Sequence, residues 1–174
     1  MLDLCCGLKG ASAAMKERGW KVITLDIDPD FHPDIVADVR EWSWDGDRPD
    51  LIWASPPCNE FSREYFVWSR TNTPPDLSIY NACKRIICQA DPKWWIIENV
   101  RGAVPFFGRP TAIYYPYYLW GRFPYLGKID LSNRRHKESL PSCAKAERAQ
   151  IPYALSRAVA VAIESSIPLP LEVA

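Results

Sequence analysis

The sequence has no excess of either charge, no CxxC cysteine pair, few histidines and no long apolar run, and each lack removes a class of function. Twenty-one Lys and Arg balance 21 Asp and Glu, with a pI near 6.7. No global basic field therefore advertises a nucleic-acid partner, and any such binding has to be local. The six cysteines (Cys5, Cys6, Cys58, Cys83, Cys88, Cys143) form no CxxC pair, and the two histidines complete no cluster at zinc-ligand spacing. No metal is expected, and the cysteines read as reduced thiols of a cytoplasmic protein. Met1 leads directly into a strand-like segment carrying Asp3 instead of a signal peptide. No apolar run approaches membrane-spanning length, so no membrane partner is expected.

What is present is ordinary globular composition, 48% hydrophobic and 24% charged over 174 residues, which fits one domain with a sizeable core. Eight Trp and eight Tyr are many for this length. They offer stacking surfaces, although aromatics more commonly fill cores. Only the Pro-rich tail 167–174 reads as a frayed end.

The chain is organised around Asp50-Leu-Ile-Trp-Ala-Ser-Pro-Pro-Cys-Asn-Glu-Phe-Ser62. Leu51 to Ala54 read as a buried strand of a parallel sheet. Pro56 and Pro57 stop it, since neither can donate to a ladder and each restricts the residue before it. A stiff loop at the carboxyl end of a strand is where open α/β sheets place their chemistry, and this one presents Cys58. A free cysteine is by default a small buried hydrophobe; its place in this loop makes Cys58 the candidate nucleophile.

Before that stretch, Met1 to Gly10 read as a strand and a glycine turn, and Ala11 to Arg18 as a helix closed by Gly19. A second strand, Val22 to Leu25, ends in Asp26 about twenty residues after the glycine turn, an offset that suits a carboxylate bonded to ribose hydroxyls. A third, Asp34 to Ala37, ends in Asp38. Either acid can also be read as a turn residue at a strand end; the offset favours the ribose reading for Asp26, while for Asp38 the two readings are level. After it, Asp76 to Ala90 carry apolar residues at helical spacing. Lys93 to Ile97 read as another buried strand that delivers Glu98-Asn99-Val100 to the edge holding Cys58. Glu98 is there either a proton donor or a cap or ion-pair partner of Arg101. Ile113 to Gly121 reads as strands on the far side of the sheet, with tyrosines that either join the core or line a cleft. Ile151 to Glu164 reads as a closing helix with Pro152 in its first turn.

Asp3-Leu-Cys-Cys-Gly-Leu-Lys-Gly10, Ser55-Pro-Pro-Cys-Asn-Glu-Phe-Ser62 and Glu98-Asn-Val100 resemble, in order and spacing, the AdoMet loop, the Pro-Cys loop and the Glu-Asn-Val motif of DNA cytosine-5 methyltransferases. Arg148-Ala-Gln-Ile-Pro-Tyr-Ala-Leu155 is similar to that family's last motif. The resemblance implies an AdoMet-dependent methyltransferase fold, an α/β three-layer Rossmann-like sandwich whose mostly parallel sheet carries one antiparallel hairpin strand. It implies S-adenosyl-L-methionine as cofactor, DNA as substrate, Cys58 as the thiolate that adds to carbon 6 of cytosine, and Glu98 as its partner at ring N3. It further implies cofactor contacts from Asp3, Cys5, Gly7, Leu8 and Gly10, from Asp26 on the ribose, Ile27 and Ile79 on the adenine, Asp38 on its amino group, Pro57 beside the sulfonium, and Gln150. Substrate contacts are implied at Pro56, Asn59, Ser62, Asn99, Arg101 and Lys128, with Arg134 and Arg135 on phosphates. A base inside duplex DNA has to be flipped out, so the substrate is duplex DNA with base flipping or a single strand.

The chain departs from the family pattern as well. Cys5 stands where an aromatic is usual and Lys9 where a glycine is, and the Gln-x-Arg-x-Arg motif is not recognisable. Residues 129–147 stand where a large target-recognition domain is expected, so residues 1–166 are expected to form one catalytic domain with that minimal insertion. Their basic cluster Asn133-Arg-Arg-His-Lys137 is equally a solvated loop. Weak sequence specificity, or a second chain that supplies it, is the expectation. This compact form points to a phage-like origin in the cytoplasm of a bacterial or phage-infected cell. Other readings are RNA cytosine-5 methylation, an amino-methyltransferase, which Cys58 argues against, and a non-catalytic DNA-binding or accessory subunit of the same fold.

Overall fold

A computed structural model describes residues 1–62, 73–132 and 149–166. Seven strands form one sheet in the order β3-β2-β1-β4-β5-β7-β6. They are β1 (Leu2–Leu4), β2 (Ile23–Asp26), β3 (Ile35–Val36), β4 (Leu51–Ala54), β5 (Trp94–Asn99), β6 (Ala112–Tyr114) and β7 (Tyr117–Arg122). The first five run parallel, and β7 is antiparallel to both its neighbours. This is the mostly parallel sheet with a hairpin strand that the sequence leads one to expect. The order reverses between β1 and β4, and the crevice above such a reversal is where open α/β sheets bind ligands.

Alternation along each strand divides the core in two. Leu51 and Trp53 face α1 (Ala13–Glu17) and α5 (Tyr153–Ser165), together with Met15, Leu155, Val159 and Ile163. Ile52 and Ala54 face α3 (Ser78–Ala90), together with Cys83, Ile86 and Ile97. Both faces of β4 are closed to water, and each large side chain buried there contributes roughly 1.5–3 kcal/mol. That is why the segment reads as a continuous apolar run instead of an alternating one. Two short helices, α2 (Asn59–Ser62) and α4 (Val104–Phe107), lie on loops at the carboxyl edge of the sheet.

Several boundaries shift by one or two residues from the sequence reading, and two of the shifts have a structural cause. β5 runs through Asn99 instead of stopping at Ile97, because β7 pairs Leu119 with Glu98 and Tyr118 with Asn99. The closing helix begins at Tyr153, with Pro152 as an extended N-cap residue and not inside the first turn. Cys83 is core, as its place on the apolar face of α3 implies, whereas Cys88 is exposed. Among the described residues no helix is long and apolar enough to cross a membrane, and no group of three His, Cys, Asp or Glu could hold a metal.

Candidate active site

The loop after β1 is tight and left-handed at alternate residues: φ is +55° at Cys5, +46° at Gly7 and +57° at Lys9. It is tied down from three sides. The Gly7 amide donates to Asp26 Oδ2 at 2.9 Å and the Asp28 amide to Oδ1 at 3.0 Å, so one carboxylate joins the ends of β1 and β2. The Lys9 ammonium donates to the His32 carbonyl across the same gap. From the far end of the chain, Gln150 approaches the Leu8 carbonyl at 3.4 Å, and Gly10 lies so close to Ile151 that a Cβ would sit 2.4 Å from its carbonyl oxygen. This last contact explains why a glycine is needed there. Ser156 of α5 completes the clamp by donating to the Ala11 carbonyl at 2.7 Å and accepting from the Ala14 amide at 3.1 Å.

Beneath this loop Asp3 is fully buried, and neither of its carboxylate oxygens has a partner in hydrogen-bonding geometry. Burial pushes the carboxyl up to about 7, against the Ser12 hydroxyl and the ammonium of Lys16, which favour its charge. Beside the loop, Leu8 and Ile27 present apolar side chains to solvent, Ile27 at 62% exposure, while Ile79 packs partly buried at the start of α3. Asp38 is differently placed. Arg40 holds its carboxylate through Nε at 3.0 Å to both oxygens and through its own amide at 2.9 Å, which draws the carboxyl down to about 2. An adenine amino group would have to share that carboxylate with Arg40.

The second loop follows β4. The Ser55 amide still pairs with Leu4 at 3.1 Å, then the two prolines carry the chain to Cys58. The Cys58 carbonyl accepts from the amides of Phe61 at 3.1 Å and Ser62 at 2.9 Å, which starts α2. Asn99 fixes this loop from the neighbouring strand: its Nδ2 donates to the Pro56 carbonyl at 2.9 Å, and its Oδ1 accepts from the Val100 amide at 2.9 Å. With 1% of its surface exposed, Asn99 sits behind the loop and fixes its backbone. Pro56 is buried likewise, whereas Pro57 and Asn59 are exposed and Ser62 half-buried. Ala54 pairs with Ile97, so Cys58 and Glu98 rise from adjacent strands at one edge.

The other thiols are poor nucleophiles. The Cys83 thiol beside Cys5, with burial, holds Cys5 well above the ordinary cysteine value, and burial pushes Cys6 up to about 12. Cys88 lies at the exposed carboxyl end of α3. Cys58 and Cys5 are thus the two half-exposed thiols of loops at this edge among the described residues, and of the two only Cys5 is held up by a second thiol. Arg101 and Lys128 are exposed, and neither joins the three ion pairs of the described residues, Arg18–Glu164, Arg40–Asp38 and Arg48–Asp91. Arg134, Arg135, Arg148, Cys143 and the 167–174 tail lie outside the described residues.

Sequence reasoning missed the Asn99, Ser156 and Arg40 contacts. The first two join residues 43 and more than 140 positions apart and leave no local signature. The Asp-x-Arg pair of Asp38 and Arg40 was available locally.

Comparison with known proteins follows the same residues. The family model of C-5 cytosine-specific DNA methylase matches residues 1–107. A protein of Frog virus 3 (isolate Goorha), described as a probable DNA (cytosine-5)-methyltransferase, is 33% identical over 116 residues, which are 57% of this chain and 52% of the viral protein. The chain thus spans about half the length of that curated relative. A solved structure of a candidate DNA modification methyltransferase encoded within prophage Cp of E. coli is 21% identical, covering 59% of this chain and 32% of that one with a TM-score of 0.44.

Proposed function

This chain belongs to the C-5 cytosine-specific DNA methylase family, and from that premise we propose that it transfers a methyl group from S-adenosyl-L-methionine to carbon 5 of cytosine in DNA. The observation that carries the reading is the pinned Pro-Cys loop. Asn99 locks it from β5, and Glu98 stands next to Asn99 on the same strand.

The residues around the glycine loop fit the cofactor. Asp3 supplies two buried oxygens without partners, a costly arrangement that a nearby cationic group would relieve. Asp26 stands at the end of β2, where ribose hydroxyls would reach it, and Leu8, Ile27 and Ile79 offer apolar surface for an adenine. When bound, the cofactor supplies an electrophilic methyl on a sulfonium.

Carbon 5 of cytosine is a weak nucleophile, so electron density has to be built there first. The Cys58 thiolate forms a bond to carbon 6, and Glu98 hydrogen-bonds or protonates ring N3 to hold the electron pair that this addition releases. Methyl transfer to carbon 5 would leave the sulfonium as a neutral thioether; loss of the carbon-5 proton to solvent then returns the electron pair that expels the Cys58 thiolate from carbon 6 and restores the ring. Asn99 contributes by keeping the loop where the thiol meets carbon 6, since a misplacement of about 1 Å can cost about 100-fold in rate. In this reading residues 1–166 are one catalytic domain with 129–147 in place of a target-recognition domain. Specificity is then short or comes from a second chain, and the reaction runs in the cytoplasm of a bacterial or phage-infected cell.

The test is incubation with tritiated AdoMet and DNA carrying 5-fluorocytosine, run on a denaturing gel beside Cys58→Ser. Fluorine cannot leave as the proton does, so the expected result is a labelled protein–DNA adduct that the variant does not form. No adduct on duplex or single-stranded DNA, with AdoMet binding intact, would overturn the reading.

A further inference from the structure

We propose that Phe107 is a positioning residue for methyl transfer, a ring that holds the turn carrying Cys58 against the segment that runs on from Glu98; this rests on the activity proposed above. The need for such a contact comes from the length of α2, which has four residues. A helix that short does not hold itself together in water, so the chain after Cys58 stays in place through what the turn buries. That residue is Phe61, 3% exposed, whose amide donates to the Cys58 carbonyl at 3.1 Å. Asn99 pins the loop ahead of Cys58, at Pro56, and the Phe61 ring pins it behind.

Phe107 is the ring that Phe61 meets most closely. Their centroids lie 5.0 Å apart with the planes at 74°, the edge-to-face arrangement that aromatic rings prefer. Phe106 adds a looser, tilted contact to Phe61 at 5.9 Å. Phe107 is in turn fixed by two further elements. Tyr80 of α3 stacks on it at 3.7 Å with the planes 9° apart, and Trp120 of β7 meets it at 5.1 Å and 71°. The Trp120 indole also donates to the Gly108 carbonyl at 2.8 Å, and the Gly108 amide closes α4 on the Val104 carbonyl at 3.0 Å, so the backbone next to Phe107 is anchored as well.

Connectivity gives this contact its meaning. From Glu98 the chain passes through Asn99 and one turn of 3-10 helix, Arg101–Ala103, directly into α4 and Phe107. Both pins on the Cys58 loop therefore come from the segment that carries Glu98, one by a hydrogen bond and one by a ring. The arrangement fixes the thiol relative to the carboxyl group that works on the same cytosine ring. A leucine at position 107 would fill much of the same volume, but it cannot stack on Tyr80 and also meet two rings edge to face.

The test compares Phe107→Leu, Phe107→Ala and Phe107→Tyr with the unaltered chain in single-turnover methyl transfer and in the rate of adduct formation on 5-fluorocytosine DNA. KM for DNA, AdoMet affinity and the thermal midpoint are measured beside them. Phe107→Leu is expected to lower kcat about tenfold and Phe107→Ala about 100-fold, the scale of a displaced reacting group, with KM for DNA and AdoMet affinity staying within about threefold. Phe107→Tyr keeps the ring and should recover the rate to within about threefold of the unaltered chain. Phe61→Leu joined to Phe107→Leu should be no slower than the slower single variant, because both remove one contact. An unchanged rate in Phe107→Leu, a fall in kcat matched by equal losses of both affinities, no recovery in Phe107→Tyr, or multiplied losses in the double variant would overturn the positioning role. If Phe107→Ala does not fold, the leucine and tyrosine variants decide. If the unaltered chain forms the adduct and Phe107→Leu forms it as fast, only this role falls; if the unaltered chain forms none, the proposed activity falls first and this role with it.

Discussion

The two ends of the sheet carry opposite chemistry. Residues 1–50, which build β1 to β3 and their loops, hold eleven Asp and Glu against six Lys and Arg, while residues 99–132, beyond the catalytic strand, hold four Lys and Arg against one Asp. At the first end three carboxylates are already engaged, Asp26 with Gly7 and Asp28, Asp34 with Thr24 and Asp38 with Arg40, while Asp3 is buried without a hydrogen-bond partner. At the second, Arg122 alone is spent on backbone carbonyls, and the cations nearest the catalytic edge are unpaired among the described residues. A net charge of zero conceals this division, because fields between separated surface patches are screened beyond about 8 Å at physiological salt. Under the proposed function the first end would take the small cationic cofactor and the second the phosphate strand.

The sharpest way to break the comparison is to damage one end and ask whether the other notices. Asn99→Ala removes the donor to Pro56 and leaves that carbonyl unsatisfied, a cost of about 1–3 kcal/mol. Methyl transfer should fall about 100-fold while AdoMet affinity holds, as read by single-turnover transfer beside calorimetric titration. Gly10→Ala should do the reverse. Its Cβ meets backbone at Ile151, which cannot yield without moving the clamp. AdoMet affinity should drop about tenfold and thermal unfolding by a few degrees, from about 1–3 kcal/mol of overpacking, with binding of DNA retained. Loss of both ligands in either variant would show that the two ends are not separable.

Asp3 tests the acidic end by titration. Its carboxyl stands at about 7 folded against 3.8 as the reference value, because of burial. The folded chain keeps a proton that the unfolded chain releases, so stability falls as pH rises from about 4 to 7 and is level above. The ceiling of this effect is roughly 4 kcal/mol at ~1.36 kcal/mol per unit. Asp3→Asn should flatten that slope in thermal unfolding and raise stability at pH 8. It should also weaken AdoMet several-fold there, since the amide cannot carry the charge that a cationic ligand selects. A slope that survives in Asp3→Asn would assign it to another group.

How much of this was legible in the sequence follows from how local each contact is. The strand at Leu51–Ala54 and the loop at Cys58 are legible because burial on both faces leaves an apolar run and the prolines mark its end. The three parallel strands of the cofactor end are legible from their short spacing. The reach of β5 to Asn99 is not, since β7 imposes it from twenty residues away. Asn99 reads as a substrate contact in the motif, whereas its partner is a backbone carbonyl 43 residues earlier. In the aromatic stretch 113–121 the sequence shows strands; only the hairpin register separates the buried Tyr117 and Tyr118 from Tyr115, which is exposed in the turn.

The smallest expected effect concerns Asp38, where a strand-end acid is read either as an adenine contact or as a turn residue. The Arg40 guanidinium now occupies both carboxylate oxygens, and the Arg40 amide closes the turn on Oδ1. Arg40→Ala removes the guanidinium and keeps the amide, so the turn survives while one face of the carboxylate is released. If that face belongs to the adenine amino group, AdoMet affinity should rise about two- to threefold, the scale of one exposed hydrogen bond no longer shared with a screened cation. Adenosine should gain by the same factor and inosine, which lacks the amino group, should not. A gain for both nucleosides would trace the effect to loss of local positive charge, and no gain for either would leave Asp38 a turn residue.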